Sequence, residues 1–141
     1  MIRKLKKDDF EVIIHIWLEV NIKAHNFISD EYWRKQLETV KELLPQSEVY
    51  VYENGKILGF VGLTDNYIAG IFVLSNEQSK GIGKQLLDYI KDLKSELSLS
   101  VYQKNRRAVE FYQRENFVIQ SENVDENTGE KQFLMSWKRN V

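Results

Sequence analysis

The residues Gln78-Ser79-Lys80-Gly81-Ile82-Gly83-Lys84 have the types and spacing to hold an anion. Two glycines permit positive φ and close approach to the main chain, the free amides of a helix start point outward, and Lys80 and Lys84 add positive charge. An apolar run, Ile68-Ala69-Gly70-Ile71-Phe72-Val73-Leu74, precedes the stretch. After it, Ile82, Leu86, Leu87, Ile90 and Leu93 fall on one helical face, with Lys84, Asp88, Lys91 and Asp92 turned away. The order is therefore strand, glycine turn, helix. Two commoner glycine loops fail on spacing. A Walker A loop needs a glycine five residues before Gly83 and Ser or Thr after Lys84, where Gln78 and Gln85 stand. A dinucleotide fingerprint needs a third glycine where Leu86 stands, and an earlier place in a βαβ unit.

A second constellation follows a strand-like stretch from Leu97 to Tyr102: Asn105-Arg106-Arg107-Ala108-Val109-Glu110-Phe111-Tyr112, then Asn116-Phe117. Together the two stretches resemble the GCN5-related N-acetyltransferases (GNAT family). There, Gln-x-x-Gly-x-Gly after an apolar strand is the acetyl-CoA pyrophosphate loop, and Asn-x-x-Ala-x-x-Phe-Tyr before a Phe-led strand is the second signature. The resemblance covers nearly the whole chain. Two positions depart from the pattern: Ser75-Asn76-Glu77 stands where a proline often follows the fourth strand, and Asn116 where glycine is common. Within the family, Val101 to Asn105 with Ala108 to Gln113, His25-x-Phe27-Ile28 with Tyr32-Trp33, and Met135-Ser136-Trp137 resemble the small bacterial YiaC and YjaB type. That type includes protein-lysine acetyltransferases.

The resemblance implies a role for each matching residue. Gln78, Ser79, Lys80, Gly81, Ile82, Gly83 and Lys84 would hold the pyrophosphate of acetyl-CoA. Main-chain groups at Phe72 and Val73 would pair with the pantetheine amides like an added strand, one amide polarising the thioester carbonyl. Asn105 would contact the pantetheine arm or simply cap a helix, and Ala108 and Phe111 would pack beside the arm. Tyr112 holds the position that often serves as general acid toward the departing thiolate; the alternative is that it only packs its helix on the sheet. A phenol with a pKa of about 10 is protonated at neutral pH and suits that task better than a carboxylate.

The acceptor side would be bordered by the first two helices and their link, with His25, Phe27, Tyr32 and Tyr67 as candidate lining residues. A packed corner is the other reading of His25 and Phe27, and Tyr67 could instead pack between sheet and helix. Deprotonating a lysine at pH 7 costs about 4.6 kcal/mol and an α-amine about 1 kcal/mol, so a lysine acceptor gains more from a base. Asp65, Glu77, Glu110 and His25 are all candidates.

The 141 residues, 43% of them hydrophobic, suit one acetyltransferase domain over residues 1–141. Twenty basic residues against 21 acidic ones give no surface for a nucleic-acid backbone. The basic start lacks a following signal core, and no apolar run approaches the roughly 18 residues of a membrane span, so a cytoplasmic protein without membrane partners is expected. Cysteine is absent, which removes disulfides, thiolate metal sites and a thiol nucleophile, and favours direct attack on the thioester. The two histidines, His15 and His25, are too few and too separated for a metal site.

These groups must be positioned by a run of short elements. Ile2 to Leu5 is a strand, and Asp8 or Asp9 can cap a helix with Phe10, Ile13, Ile14, Trp17 and Val20 at helical spacing. Ser29 or Asp30 caps a second helix carrying Trp33, Leu37, Val40 and Leu44. Two β-rich runs around Asn54-Gly55 predict a hairpin, which continues through Asp65-Asn66 into the apolar strand. Leu97, Leu99 and Val101 alternate as a strand parallel to that one. A helix capped by Asn105, a strand opening at Phe117, a turn at Asn127 to Gly129 and a strand from Gln132 to Trp137 complete the order β α α β β β α β α β β. The expected fold is α/β: a mixed, mainly antiparallel GNAT-like sheet, its parallel central strands splayed, with about four flanking helices. The expected function is an N-acetyltransferase moving acetyl from acetyl-CoA to a primary amine, a protein lysine among the candidates, in a monomer or homodimer and without a metal. The alternatives are a small-molecule amine acetyltransferase and a non-catalytic acetyl-CoA-binding module.

Overall fold

Asn54 and Gly55 turn the chain between two β-rich runs, and Gly55 takes a φ of 75° there, a left-handed conformation that costs glycine little. A computed structural model describes residues 1–140. Its strands are β1 (Ile2–Lys4), β2 (Glu48–Asn54), β3 (Lys56–Thr64), β4 (Tyr67–Val73), β5 (Glu96–Tyr102), β6 (Val118–Val124) and β7 (Lys131–Lys138). Its α-helices are α1 (Phe10–Ala24), α2 (Asp30–Leu43), α3 (Ile82–Leu93) and α4 (Arg106–Arg114). The element order is the one expected from the sequence. The strands lie in one sheet in the order β1-β2-β3-β4-β5-β7-β6, antiparallel except where β4 runs beside β5.

The period of two along the central strands sends side chains to opposite faces. Val49, Val51 and Phe60 pack with Ile13, Ile16 and Val20 of α1, while Tyr50, Val61 and Leu63 pack with Leu86, Leu87 and Ile90 of α3. Burying each such aliphatic side chain is worth about 1.5–3 kcal/mol relative to leaving it exposed. Val109 and Tyr112 of α4 join the α3 side of the core. Leu93, expected on the buried face of α3, is instead 50% exposed, because the helix ends there and the chain leaves for β5.

The start of α1 also differs from expectation. Asp9 does not cap that helix; its carboxylate accepts the Lys6 amide and an Arg3 guanidinium N–H, both at 2.8 Å, across a 3₁₀ turn over Lys7–Asp9. A charged partner on β1 outcompetes the helix amides for the same oxygens. The second helix does start as expected, with Ser29 accepting from the Tyr32 amide at 3.4 Å.

The parallel pair positions the site. Among the described residues, β4 and β5 pair at Tyr67 with Ser98 and at Ile68 with Leu99 before diverging. Each stays bonded to its outer neighbour, β4 to β3 as far as Val73 and β5 to β7 as far as Tyr102. The sheet therefore opens as a wedge between Ala69–Val73 and Ser100–Tyr102. This is the splay that the resemblance implied.

Candidate active site

The left-handed conformations of Ser79 (φ 66°) and Gly81 (φ 86°) reverse the chain after β4, so that α3 begins at Ile82 close to the wedge. The first helical bond of α3 is donated by the Gln85 amide to the Gly81 carbonyl at 3.0 Å, which leaves the preceding amides free of the helix ladder. Gly83 faces the open end of the wedge, where β4 finishes at Val73. A Cβ there would stand 3.7 Å from the Phe111 ring and 3.9 Å from a Val73 methyl, so its absence leaves a cradle between α3, β4 and α4.

A cleft of about 410 Å³ joins these groups. Val73, Gln78, Ser79, Gly81, Ile82, Gly83 and Lys84 line one wall, and Asn105, Ala108, Phe111 and Tyr112 of α4 line the other. Two of the donor-side candidates are not in the lining, nor are the acceptor-side candidates His25, Phe27, Tyr32 and Tyr67. The Phe72 ring turns to the α1 face and packs on Phe60 with centroids 4.9 Å apart, so Phe72 can offer the wedge only its main chain. Lys80 is exposed and pairs with Glu77 at 3.1 Å.

Side chains brace the glycine turn. Gln78 Nε2 donates to the Val73 carbonyl at 2.9 Å, tying the turn to the end of β4. Arg107 donates to Ser79 Oγ at 2.8 Å, tying it to α4. Lys84 Nζ lies 3.0 Å from Glu115 and 3.2 Å from Asp88, and these carboxylates, Glu115 foremost, raise its pKa above the ordinary lysine value.

Arg107, Arg114 and Glu115 line the cleft although the sequence reading did not select them. The available signal was helical phase. Arg114 and Glu115 lie seven residues beyond Arg107 and Ala108, nearly two turns along the same side of α4.

Tyr112 is 7% exposed, with edge contacts to Phe111 at 5.2 Å and Phe117 at 5.5 Å between centroids. Burial, and secondarily Tyr67, push its phenol pKa above the ordinary value, so the hydroxyl remains a proton donor at neutral pH. Tyr67 itself is 40% exposed at the mouth of β4 and is not packed between sheet and helix.

Asn105 does cap α4: its Oδ1 accepts the Ala108 amide at 3.3 Å. That bond turns Nδ2 toward His25 Nε2, 3.2 Å away. His25 Nδ1 lies 3.1 Å from the Asn21 carbonyl, to which it must donate. His25 stacks on Trp33 at 5.1 Å and meets Tyr102 at 5.1 Å and Phe27 at 5.7 Å edge-on. Burial lowers its pKa to about 4, so the ring is neutral. With Nε2 already accepting, His25 is poorly placed as a general base. His25, Phe27, Tyr32 and Trp33 form an aromatic wall beside the cleft, reached through Ala24 at the end of α1. Of the carboxylate candidates, Glu77 lines the cleft, whereas Asp65 and Glu110 are exposed.

Among the described residues no cluster of three His, Cys, Asp or Glu could hold a metal ion, and no helix is long and apolar enough to cross a membrane. The donor set of the cleft, made of helix amides, Lys84 and Arg107 around a glycine cradle, fits a phosphate-bearing thioester.

Comparison with known proteins agrees with this geometry. The family model described as acetyltransferase (GNAT) domain matches residues 45–119. The chain is 35% identical over 140 residues to the peptidyl-lysine N-acetyltransferase YiaC of Escherichia coli, covering 97% of this chain and 96% of that protein. The solution structure of apo-form YjaB from Escherichia coli superposes with a TM-score of 0.86 at 23% identity, covering 99% of this chain and 98% of that one. A PaiA N-acetyltransferase from Thermoplasma acidophilum in complex with coenzyme A superposes with a TM-score of 0.83 at 22% identity, covering 98% of each chain.

Proposed function

The chain belongs to the GNAT acetyltransferase family, and on that premise we propose that it moves the acetyl group of acetyl-CoA directly to the side-chain amine of a protein lysine. The observation that carries the donor half of this reading is the wedge between β4 and β5 beside the first turn of α3. The inner edge of β4 offers main-chain groups that an extended arm can pair with, as an added strand does. The opening amides of α3, with Lys84 and Arg107, hold the pyrophosphate, while Gln78 keeps the turn in register with Val73.

Acetyl-CoA supplies the activated acetyl thioester. A β4 amide at Phe72 or Val73 polarises its carbonyl, and the Tyr112 hydroxyl gives its proton to the sulfur as the C–S bond breaks. The acceptor nitrogen forms the new C–N bond and releases a proton to water or to a carboxylate such as Glu77. Direct transfer is supported by the absence of cysteine, since no thiol is present to carry the acyl group. The lysine acceptor is supported by likeness to a relative that acts on peptidyl-lysine.

The test is acetyl-CoA turnover against lysine peptides, amino-terminal peptides and small amines. Lysine peptides are expected to give the highest kcat/KM, with intersecting initial-rate plots. Preference for a small amine would replace the acceptor, parallel plots with an isolable acetyl-enzyme would replace the direct route, and binding of acetyl-CoA without turnover on any amine would leave a binding module.

A further inference from the structure

His25 and Asn105 are 80 positions apart in the chain, one at the end of α1 and the other at the start of α4, yet their side chains meet at 3.2 Å. The contact belongs to a directed series. The Ala108 amide donates to Asn105 Oδ1, Asn105 Nδ2 donates to His25 Nε2, and His25 Nδ1–H donates to the Asn21 carbonyl, which also accepts the His25 main-chain amide at 3.1 Å. Each link fixes the next. The Asn21 carbonyl can only accept, so it holds the proton on Nδ1 and leaves Nε2 an acceptor; Nε2 in turn selects the orientation of the Asn105 amide that leaves Oδ1 facing α4.

We propose that His25 is a positioning residue that, through Asn105, fastens the first turn of α4 to the aromatic wall and so sets where Tyr112 stands against the wedge. The inference rests on the acetyltransferase reading for its effect on rate, but the contact itself does not depend on activity. Several features give it force. The helix α4 is nine residues long, so its first turn carries Ala108 at one end and Tyr112 one turn further on. The imidazole is half-buried among Trp33, Phe27 and Tyr102, and this partial burial keeps it neutral, with Nε2 an acceptor. A protonated ring would set two donors face to face at Asn105.

The experiment compares His25→Gln with His25→Phe. Glutamine can place its side-chain oxygen where Nε2 stands and so accept from Asn105, whereas phenylalanine keeps the stack on Trp33 and removes both nitrogens. If His25 only packs, phenylalanine is the milder change. If it positions, the order reverses. In His25→Phe the Ala108 amide is expected to exchange roughly fivefold faster or more, as for a weakened helix cap, and kcat to fall by about ten- to a hundredfold from a displaced catalytic group. In His25→Gln both are expected to stay within about threefold of wild type, the residual cost of one imperfect hydrogen bond.

Nitrogen chemical shifts of the wild-type imidazole should report a proton on Nδ1 and none on Nε2. A proton on Nε2, or His25→Phe retaining both wild-type Ala108 exchange and wild-type kcat, would overturn the proposal. If His25→Phe does not fold, a loss of Ala108 protection in His25→Gln overturns it equally. A wild-type chain that acetylates no amine would defeat the acetyltransferase reading, while tautomer and amide exchange would still decide the His25–Asn105 link.

Discussion

Lys84, in the first turn of α3, reaches Glu115 just beyond the end of α4, Nζ to Oε1 3.0 Å, across the mouth of the donor cleft. On the proposed reading, the carboxylate therefore occupies a cation that would otherwise face the donor's phosphate. Glu115→Gln keeps a hydrogen-bond acceptor but removes the competing charge. Acetyl-CoA affinity measured by calorimetry at low salt is expected to rise about two- to fivefold, the range of an exposed ion pair, and the gain should shrink as salt screens the cleft. Unchanged or weaker binding would mean that Lys84 takes no part in holding the donor.

Gly81 and Gly83 are expected to respond differently to the same added methyl. At Gly81 a side chain meets a φ of 86°, so Gly81→Ala should cost about 1–2 kcal/mol of stability. At Gly83 the new Cβ would make only ordinary contacts, 3.7 Å to Phe111 and 3.9 Å to Val73, and the melting temperature should hold. The methyl would stand in the cradle, however, and acetyl-CoA affinity should fall by about tenfold or more, as when a close main-chain approach is blocked. Retained affinity in a folded Gly83→Ala protein would place the donor elsewhere.

Tyr112→Phe keeps the ring that packs between Phe111 and Phe117 and removes the hydroxyl alone. Single-turnover acetyl transfer is expected to slow by about 10²- to 10⁴-fold with donor affinity nearly unchanged. Because burial raises the phenol pKa, the alkaline limb of the wild-type rate profile should lie above pH ~10, the ordinary phenol value. A wild-type chemical rate in the variant would remove Tyr112 from the chemistry.

The neutral state of His25 has a consequence for stability. Its pKa is about 4 in the folded chain against 6.5 for an unburied histidine, so between these values the unfolded chain binds a proton that the folded chain does not. Stability then rises with pH across this window and is lost as pH falls from about 6.5 toward about 4, by about 3 kcal/mol in total. Denaturant titrations at pH 7 and pH 4 should show this loss in wild type and about that much less in His25→Gln. Equal losses would mean that His25 is protonated in the fold.

What the sequence made legible was local. The glycine turn, the α3 stripe through Ile90 and the Asn54-Gly55 hairpin each depend on residues within a few positions of one another, so spacing alone suffices. The element order and the splay followed from two motifs separated by one crossover. What escaped depends on partners that only the folded sheet and helices bring together. Asp8 and Asp9 both have the type and place of a helix cap, yet Arg3 on the adjoining strand claims Asp9. Glu115 meets Lys84 from 31 residues away and Asn105 meets His25 from 80, and neither pairing leaves a periodic trace. Arg107 and Arg114 were within reach of the sequence, had the phase of α4 been followed through one further turn.

The divergence of β4 from β5 leaves two bare strand margins in the middle of a sheet rather than at its rim. Bare margins ordinarily recruit another polypeptide, and a visiting strand needs a width of about 4.8 Å on each side, with room above and below for alternating side chains. Here α1 flanks one face of the sheet and α3 with α4 the other, so the two margins lie between packed helices rather than at an open rim. On the proposed reading, the slender amide thread of the donor pairs with the margin that a peptide strand would otherwise take. A margin set between helices is also less open to edge-to-edge pairing than one at the rim of the sheet.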